Sequence, residues 1–138
     1  MKSLNLIMLV DDNDADNEYH EMVIKNCAIT KRLVSVTNAQ DALAYLGSCF
    51  SDEGMALPDV MFVDINMPRV NGFEMLDKLR ALPDPFNRRG SMKIFMLTGS
   101  FNPDDYNRAN KQYMDLITGF RIKPLTDTMF LKIIQTYF

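Results

Sequence analysis

Apolar runs about five residues long alternate along the chain with segments whose apolar residues recur at helical spacing. Leu6-Ile7-Met8-Leu9-Val10 closes a first strand over 5–10, and Tyr19, Met22, Val23 and Cys27 follow a 3.6-residue period that predicts a helix over 14–27. Arg32-Leu33-Val34-Ser35-Val36 reads as a second strand, and residues 39–47 as a helix with Ala39, Ala42, Leu43 and Leu46 on one face, ended by Gly47. Ser48–Pro58 is polar and reads as a loop. A third strand, 59–63, has no polar alternation, as expected of a central parallel strand covered on both faces. Phe73, Leu76 and Leu79 predict a helix over 73–81, which Pro83-Asp84-Pro85 ends in a basic loop reaching Ser91.

The pattern repeats once more. Ile94-Phe95-Met96-Leu97 lies in a fourth strand over 93–97, and Asn102-Pro103 supplies a cap and first-turn pair for a helix over 103–115. That helix has a thin apolar stripe of Tyr106, Ala109, Tyr113 and Leu116. Residues 118–122 read as a fifth strand. Residues 127–138 read as a last helix, with Phe130, Ile133, Ile134 and Tyr137 at core spacing. Five β/α units with right-handed crossovers make an α/β fold, a doubly wound parallel sheet of five strands with five helices.

Composition narrows the function. A chain of 138 residues with 47% hydrophobic content fits one domain, 1–138, with no room for an attached output domain. A net charge of -3 with no basic stripe argues against nucleic acid. Cys27 and Cys49 lack metal-ligand or redox spacing and read as small reduced thiols. The N-terminal run after Lys2 contains Asn5 and ends in acid rather than at a small-residue cleavage site, and no stretch is long enough to span a membrane. A soluble, cytoplasmic protein is expected.

Chemistry concentrates at the strand ends. Asp11 and Asp12 follow the first strand, Asp64 the third, Thr98 the fourth and Lys123 the fifth. In an open parallel sheet these ends share one edge, where ligands bind. Three carboxylates crowded there favour a divalent cation such as Mg²⁺, which takes oxygen ligands and phosphate together. An ammonium and a hydroxyl opposite it suit the charge of a transferring phosphoryl group.

Val10-Asp11-Asp12, Val63-Asp64-Ile65-Asn66-Met67-Pro68 with Gly72 beyond, Leu97-Thr98-Gly99 and Ile122-Lys123-Pro124, in that order, resemble the receiver domain of two-component response regulators. The resemblance runs from about residue 5 to the C-terminus. It implies a flavodoxin-like sheet with strand order 2-1-3-4-5. It implies Asp64 as phosphoacceptor for a phosphohistidine on a histidine kinase or histidine phosphotransfer protein. Mg²⁺ would be held by Asp12, Asp64 and the Asn66 carbonyl, with Asp11 acting mostly through water. Lys123 would pair with one phosphoryl oxygen and Thr98 with another, and the Lys123–Pro124 peptide would be cis. Intrinsic autophosphorylation and autodephosphorylation are expected, tuned by Asn66 and Ser100. Movement of Thr98 would let an aromatic residue on the fifth strand rotate inward. Here that residue is Phe120, which has no hydroxyl, so packing alone would drive the switch. Gly99 stands where Ala is usual, loosening the coupling. The output partner would meet the face of the fourth helix, fifth strand and fifth helix.

Other readings compete with parts of this picture. A haloacid dehalogenase-type Mg²⁺ phosphatase also uses an Asp after a parallel strand, yet needs a second Asp where Asn66 stands. A flavin carrier would have its phosphate repelled by Asp11 and Asp12. Asp12, Asp14 and Asp16 start like a calcium loop, but Asn17 replaces the required Gly and Val23 the closing Glu. Asp14, Asp16 and Glu18 read instead as an acidic first turn complementing the helix dipole. His20 reads as a partly exposed structural histidine. The 11 methionines read as core filler. Arg88 and Arg89 are a candidate partner-recognition pair in an inserted loop.

Overall fold

The computed structural model describes residues 3–138; Met1 and Lys2, and with them the start of the N-terminal run considered as a leader, lie outside the described residues. The strands are β1 (Leu4–Val10), β2 (Thr30–Val36), β3 (Val60–Asp64), β4 (Lys93–Thr98) and β5 (Gly119–Ile122). The helices are α1 (Asp14–Cys27), α2 (Ala39–Ser51), α3 (Gly72–Ala81), α4 (Pro103–Gln112) and α5 (Asp127–Tyr137), with a 3₁₀ turn at Arg89–Ser91. All strand pairs are parallel and the order is β2-β1-β3-β4-β5. Among the described residues no helix is long and apolar enough to cross a membrane.

Strand side chains alternate between two cores, which is why the central strands are apolar throughout. Met8, Val10, Met61, Val63, Ile94 and Met96 face one side, packed against α2, α3 and the Ala109–Tyr113 end of α4. Ile7, Leu9, Phe62, Phe95 and Leu97 face the other, against Ile24 of α1 and Phe130, Ile133 and Ile134 of α5.

Two helix ends differ from the sequence reading by more than one residue. Residues 48–51 are not loop: α2 runs through Gly47 to Ser51, because Cys49 and Phe50 are fully buried. That burial outweighs the modest helix penalty of one glycine. In the other direction, α4 stops at Gln112 rather than at residue 115. Tyr113 turns inward, stacks on Phe73 with ring centroids 5.2 Å apart and donates its hydroxyl to Asp77 at 2.9 Å.

Arg88 and Arg89 are not a free recognition pair. Arg88 Nη1 lies 2.8 Å from each of the carbonyls of Cys49, Asp52 and Met55, closing the end of α2 and the turn after it. Arg89 donates to the carbonyls of Leu79 and Leu82 at the end of α3. Asp84 holds both arginines' backbone N–H groups, at 2.8 and 2.9 Å.

Candidate phosphoryl and metal site

Register explains why the strand-end residues meet. Val10 pairs with Val63, so Asp11 emerges beside Asp64; the Asp11 N–H donates to Val36 O and the Ile65 N–H to Leu97 O. The Lys123 N–H donates to Thr98 O at 2.7 Å, tying the turn after β5 to the end of β4. Asn13, the N-cap of α1, donates its N–H to Asp11 Oδ1 at 3.0 Å, and Asn17 donates its amide to Asp11 O at 2.8 Å. The Lys123–Pro124 peptide is cis.

Gly72 sets the approach of α3 to this edge. A Cβ there would lie 2.7 Å from Asp64 O and 2.9 Å from Ile65 Cα, so only glycine lets the helix start under the Asp64 loop. The Gly72 N–H donates to Ile65 O at 2.8 Å, and a capping box of Asn71 and Glu74 fixes the first turn.

At the centre, carboxylate oxygens of Asp11, Asp12 and Asp64 lie within 4.8 Å of one another. Asp11 and Asp64 are buried and Asp12 is exposed at the rim. The Lys123 ammonium is 2.6 Å from Asp11 Oδ2 and 3.3 Å from Asp64 Oδ1. Burial first, and then the charge of Asp11, push the Asp64 carboxyl up to about 6, against the pull of Lys123. Burial also works against the Lys123 charge, but the carboxylates around it outweigh that effect and hold the ammonium above its ordinary range.

Thr98 is buried, and its hydroxyl donates to Ser100 O at 3.0 Å, leaving the Asp64 carboxylate without it. Phe120 pairs with Met96, two residues before Thr98, so Phe120 and Thr98 emerge on one face of the sheet. Phe120 is half-buried and meets Tyr106 of α4 edge to face at 5.6 Å. Asn66 and Ser100, two residues past Asp64 and Thr98 respectively, are exposed. Gly99 has open space where a Cβ would stand.

Two residues of this region differ from the sequence reading. Asp16 is more than a helix-dipole complement: its Oδ2 accepts from Lys123 Nζ at 2.8 Å. No local pattern signals this contact, because its partner lies 107 positions further along the chain. His20 is buried rather than partly exposed, and its Nε2 accepts the Leu125 N–H at 3.0 Å. Burial and the Lys123 charge hold it below the ordinary imidazole value, so the ring acts as a neutral acceptor that anchors the chain after Pro124.

A doubly wound parallel sheet that gathers an acidic cluster and a lysine at its carboxyl edge places them where ligands bind in this class of α/β domain. The family model of the response regulator receiver domain matches residues 7–135, and the chain belongs to that family, the phosphoacceptor domains of two-component signalling. Response regulator Rcp1 of Synechocystis sp. is 29% identical over 100 residues, 72% of this chain and 65% of that protein. The probable methanogenesis regulatory protein FilR2 of Methanothrix harundinacea is 28% identical, over 88% of this chain and 73% of its own. Among solved structures, a two-component response regulator from Cytophaga hutchinsonii has a TM-score of 0.84 at 24% identity, covering 98% of this chain and 97% of that one. The bacteriophytochrome response regulator AtBRR has a TM-score of 0.69 at 28% identity, covering 96% and 91%. Receivers are signalling domains rather than conventional enzymes, and the dehalogenase-type alternative finds no support in these matches.

Proposed function

We propose that Asp64 accepts a phosphoryl group from a phosphohistidine on a histidine kinase or phosphotransfer protein, in the cytoplasm, and that the adduct alters a protein-binding surface. The observation that carries this reading is the convergence of three carboxylates with the Lys123 ammonium, which stands 3.3 Å from Asp64. An Asp64 oxygen attacks phosphorus, a P–O bond forms as the P–N bond breaks, and the electron pair returns to the donor imidazole, which takes up a proton. Asp64 must be ionised to attack.

A divalent cation fits the site, because burial, and after it the charge of Asp11, raise Asp64 to about 6, and the ionised cluster needs a positive charge to offset it. Asp11, Asp12, Asp64 and the Asn66 carbonyl would hold Mg²⁺, which when bound supplies charge neutralisation for the carboxylates and the phosphoryl oxygens. Lys123 then neutralises a phosphoryl oxygen from the opposite side.

Thr98 supplies the switch. Turning its hydroxyl from Ser100 O toward the phosphoryl group empties space on the face it shares with Phe120, and that ring follows by packing alone. The exposed Phe101, Tyr106, Met114 and Ile122 around α4 and β5 support an output surface there, continuing toward α5. Asn66 and Ser100, exposed two residues past Asp64 and Thr98, govern water access and hence the adduct's lifetime.

Incubation with Mg²⁺ and acetyl phosphate is expected to give one base-labile adduct, through intrinsic autophosphorylation, and Asp64→Asn is expected to abolish it. Label persisting in Asp64→Asn sinks the assignment. Thr98→Ala is expected to accept the phosphoryl group yet lose phosphorylation-dependent partner binding. Equal binding by both phosphorylated proteins would break the link between Thr98 and Phe120.

A further inference from the structure

The Lys123 ammonium has three N–H donors and three carboxylates around it: Asp11 at 2.6 Å, Asp16 at 2.8 Å and Asp64 at 3.3 Å. Two of these belong to the acidic cluster where a cation would sit. Asp16 does not. Its side chain is 40% exposed, against 5% for Asp11 and 6% for Asp64, and it reaches Lys123 from the first turn of α1. A cation at the cluster would weaken the claims of Asp11 and Asp64 on the ammonium while leaving that of Asp16 intact.

We infer that Asp16 is a positioning residue that restrains Lys123 on the α1 side of the site and competes with the incoming phosphoryl group for its N–H donors. The inference rests on Asp64 being the phosphoacceptor. A phosphoryl group on Asp64 brings about two negative charges and needs a lysine N–H on one oxygen. Asp16 holds one of those donors at a shorter distance than Asp64 does, and its own charge repels an anionic donor entering the same rim. The contact therefore slows loading and weakens retention of a phosphoryl-like anion. Water reaches the Asp16 carboxylate, so the pair can open when a stronger acceptor arrives.

The test measures two quantities at fixed Mg²⁺: the rate constant for labelling by acetyl phosphate, and the midpoint of a fluoroberyllate titration followed by the ¹⁹F NMR signal of the bound anion. Asp16→Asn is expected to load about three- to fivefold faster and to bind fluoroberyllate at a correspondingly lower concentration, the upper part of the range for one partly exposed charge contact. Asp16→Glu keeps the charge and is expected to fall back toward wild type. Asp14→Asn makes the same change of net charge on the same helical turn, at an exposed residue that forms no ion pair among the described residues, and is expected to stay within about twofold of wild type. Asp16→Ser stands in should the Asn variant fail to fold. Loading by the Asp16 variants that is unchanged or slower overturns the inference, as does an equal acceleration by Asp14→Asn. Wild type that takes no label overturns the phosphoacceptor reading and this inference with it, whereas labelled wild type with indifferent Asp16 variants overturns this inference alone.

Discussion

The two ends of the sheet use charged residues in opposite ways. At the amino end, Arg88, Arg89, Asp84 and Asp59 each serve the backbone: the arginines close the ends of α2 and α3, Asp84 holds two loop N–H groups, and Asp59 accepts the Asn5 N–H at 2.7 Å. At the carboxyl end, three carboxylates crowd within 4.8 Å, and a lysine divides itself among two of them, Asp11 and Asp64, and Asp16. Charge at the first end holds loops in place; at the second it stays incompletely balanced. An unbalanced cluster persists where it has a ligand to meet, and strand-end geometry accounts for its location.

The sharpest way to break that contrast is to remove one charge from each end and compare signs. Arg88→Ala strips one guanidinium from three carbonyls and is expected to destabilise the protein by about 3 kcal/mol, since bonds to charged donors are strong and their loss leaves several acceptors bare. Urea unfolding at pH 7 measures it. A loss below about 0.5 kcal/mol would mean that water replaces the arginine and the amino end is no better tied than an ordinary surface loop. Gly72→Ala comes next, at about 2 kcal/mol of destabilisation, because its methyl group would run into Asp64 O and Ile65 Cα, both backbone atoms. The same variant is expected to slow labelling at Asp64, whereas Arg88→Ala is not.

Asp64→Asn carries the opposite sign. The Asp64 carboxyl is raised from 3.8 to about 6, so between those values the folded protein binds more protons than the unfolded chain and stability falls as pH rises. At pH 7 the ionised group costs at most about 3 kcal/mol by linkage, a figure that already contains the pull of Lys123, and Asn is expected to recover about 2 kcal/mol of it with a metal chelator present. The gain is expected to vanish by about pH 3, where the wild-type carboxyl is neutral in both states. Unfolding curves of the two proteins at pH 3 and pH 7 decide it; destabilisation by Asp64→Asn at pH 7 would show that the ion pair with Lys123 dominates.

These sites differ in how far they could be read in advance. Asp11, Asp12, Asp64, Thr98 and Lys123 were legible because each ends an apolar run, and parallel topology gathers such ends on one edge. Asp16 and His20 were not, since their partners are residues far along the chain: Lys123, 107 positions from Asp16, and the Leu125 N–H, 105 positions from His20. Nothing in the first helix alone shows which of its polar residues will face the turn after β5. Arg88 and Arg89 escaped the sequence for a related reason, because a carbonyl partner leaves no trace in side-chain pattern. The ends of α2 and α4 shifted where burial of Phe50 and Tyr113 overrode local signals.

The smallest expected effect falls between the two ends in character. Gly99 lies at the carboxyl edge next to Thr98, yet a Cβ there meets nothing within 4 Å and its φ is not in the left-handed region. Its glycine serves neither close packing nor a special backbone conformation. Gly99→Ala should therefore stabilise the protein slightly, by about 0.5 kcal/mol, by restricting the unfolded chain, and should leave the rate of labelling by acetyl phosphate unchanged. The variant is informative once Asp64 is phosphorylated. If the glycine loosens the link between Thr98 and Phe120, alanine should sharpen the difference in partner binding between the phosphorylated and unphosphorylated protein. A stability loss above about 1 kcal/mol would instead mean that the Thr98–Ser100 segment is as tightly tied as the loops at the amino end.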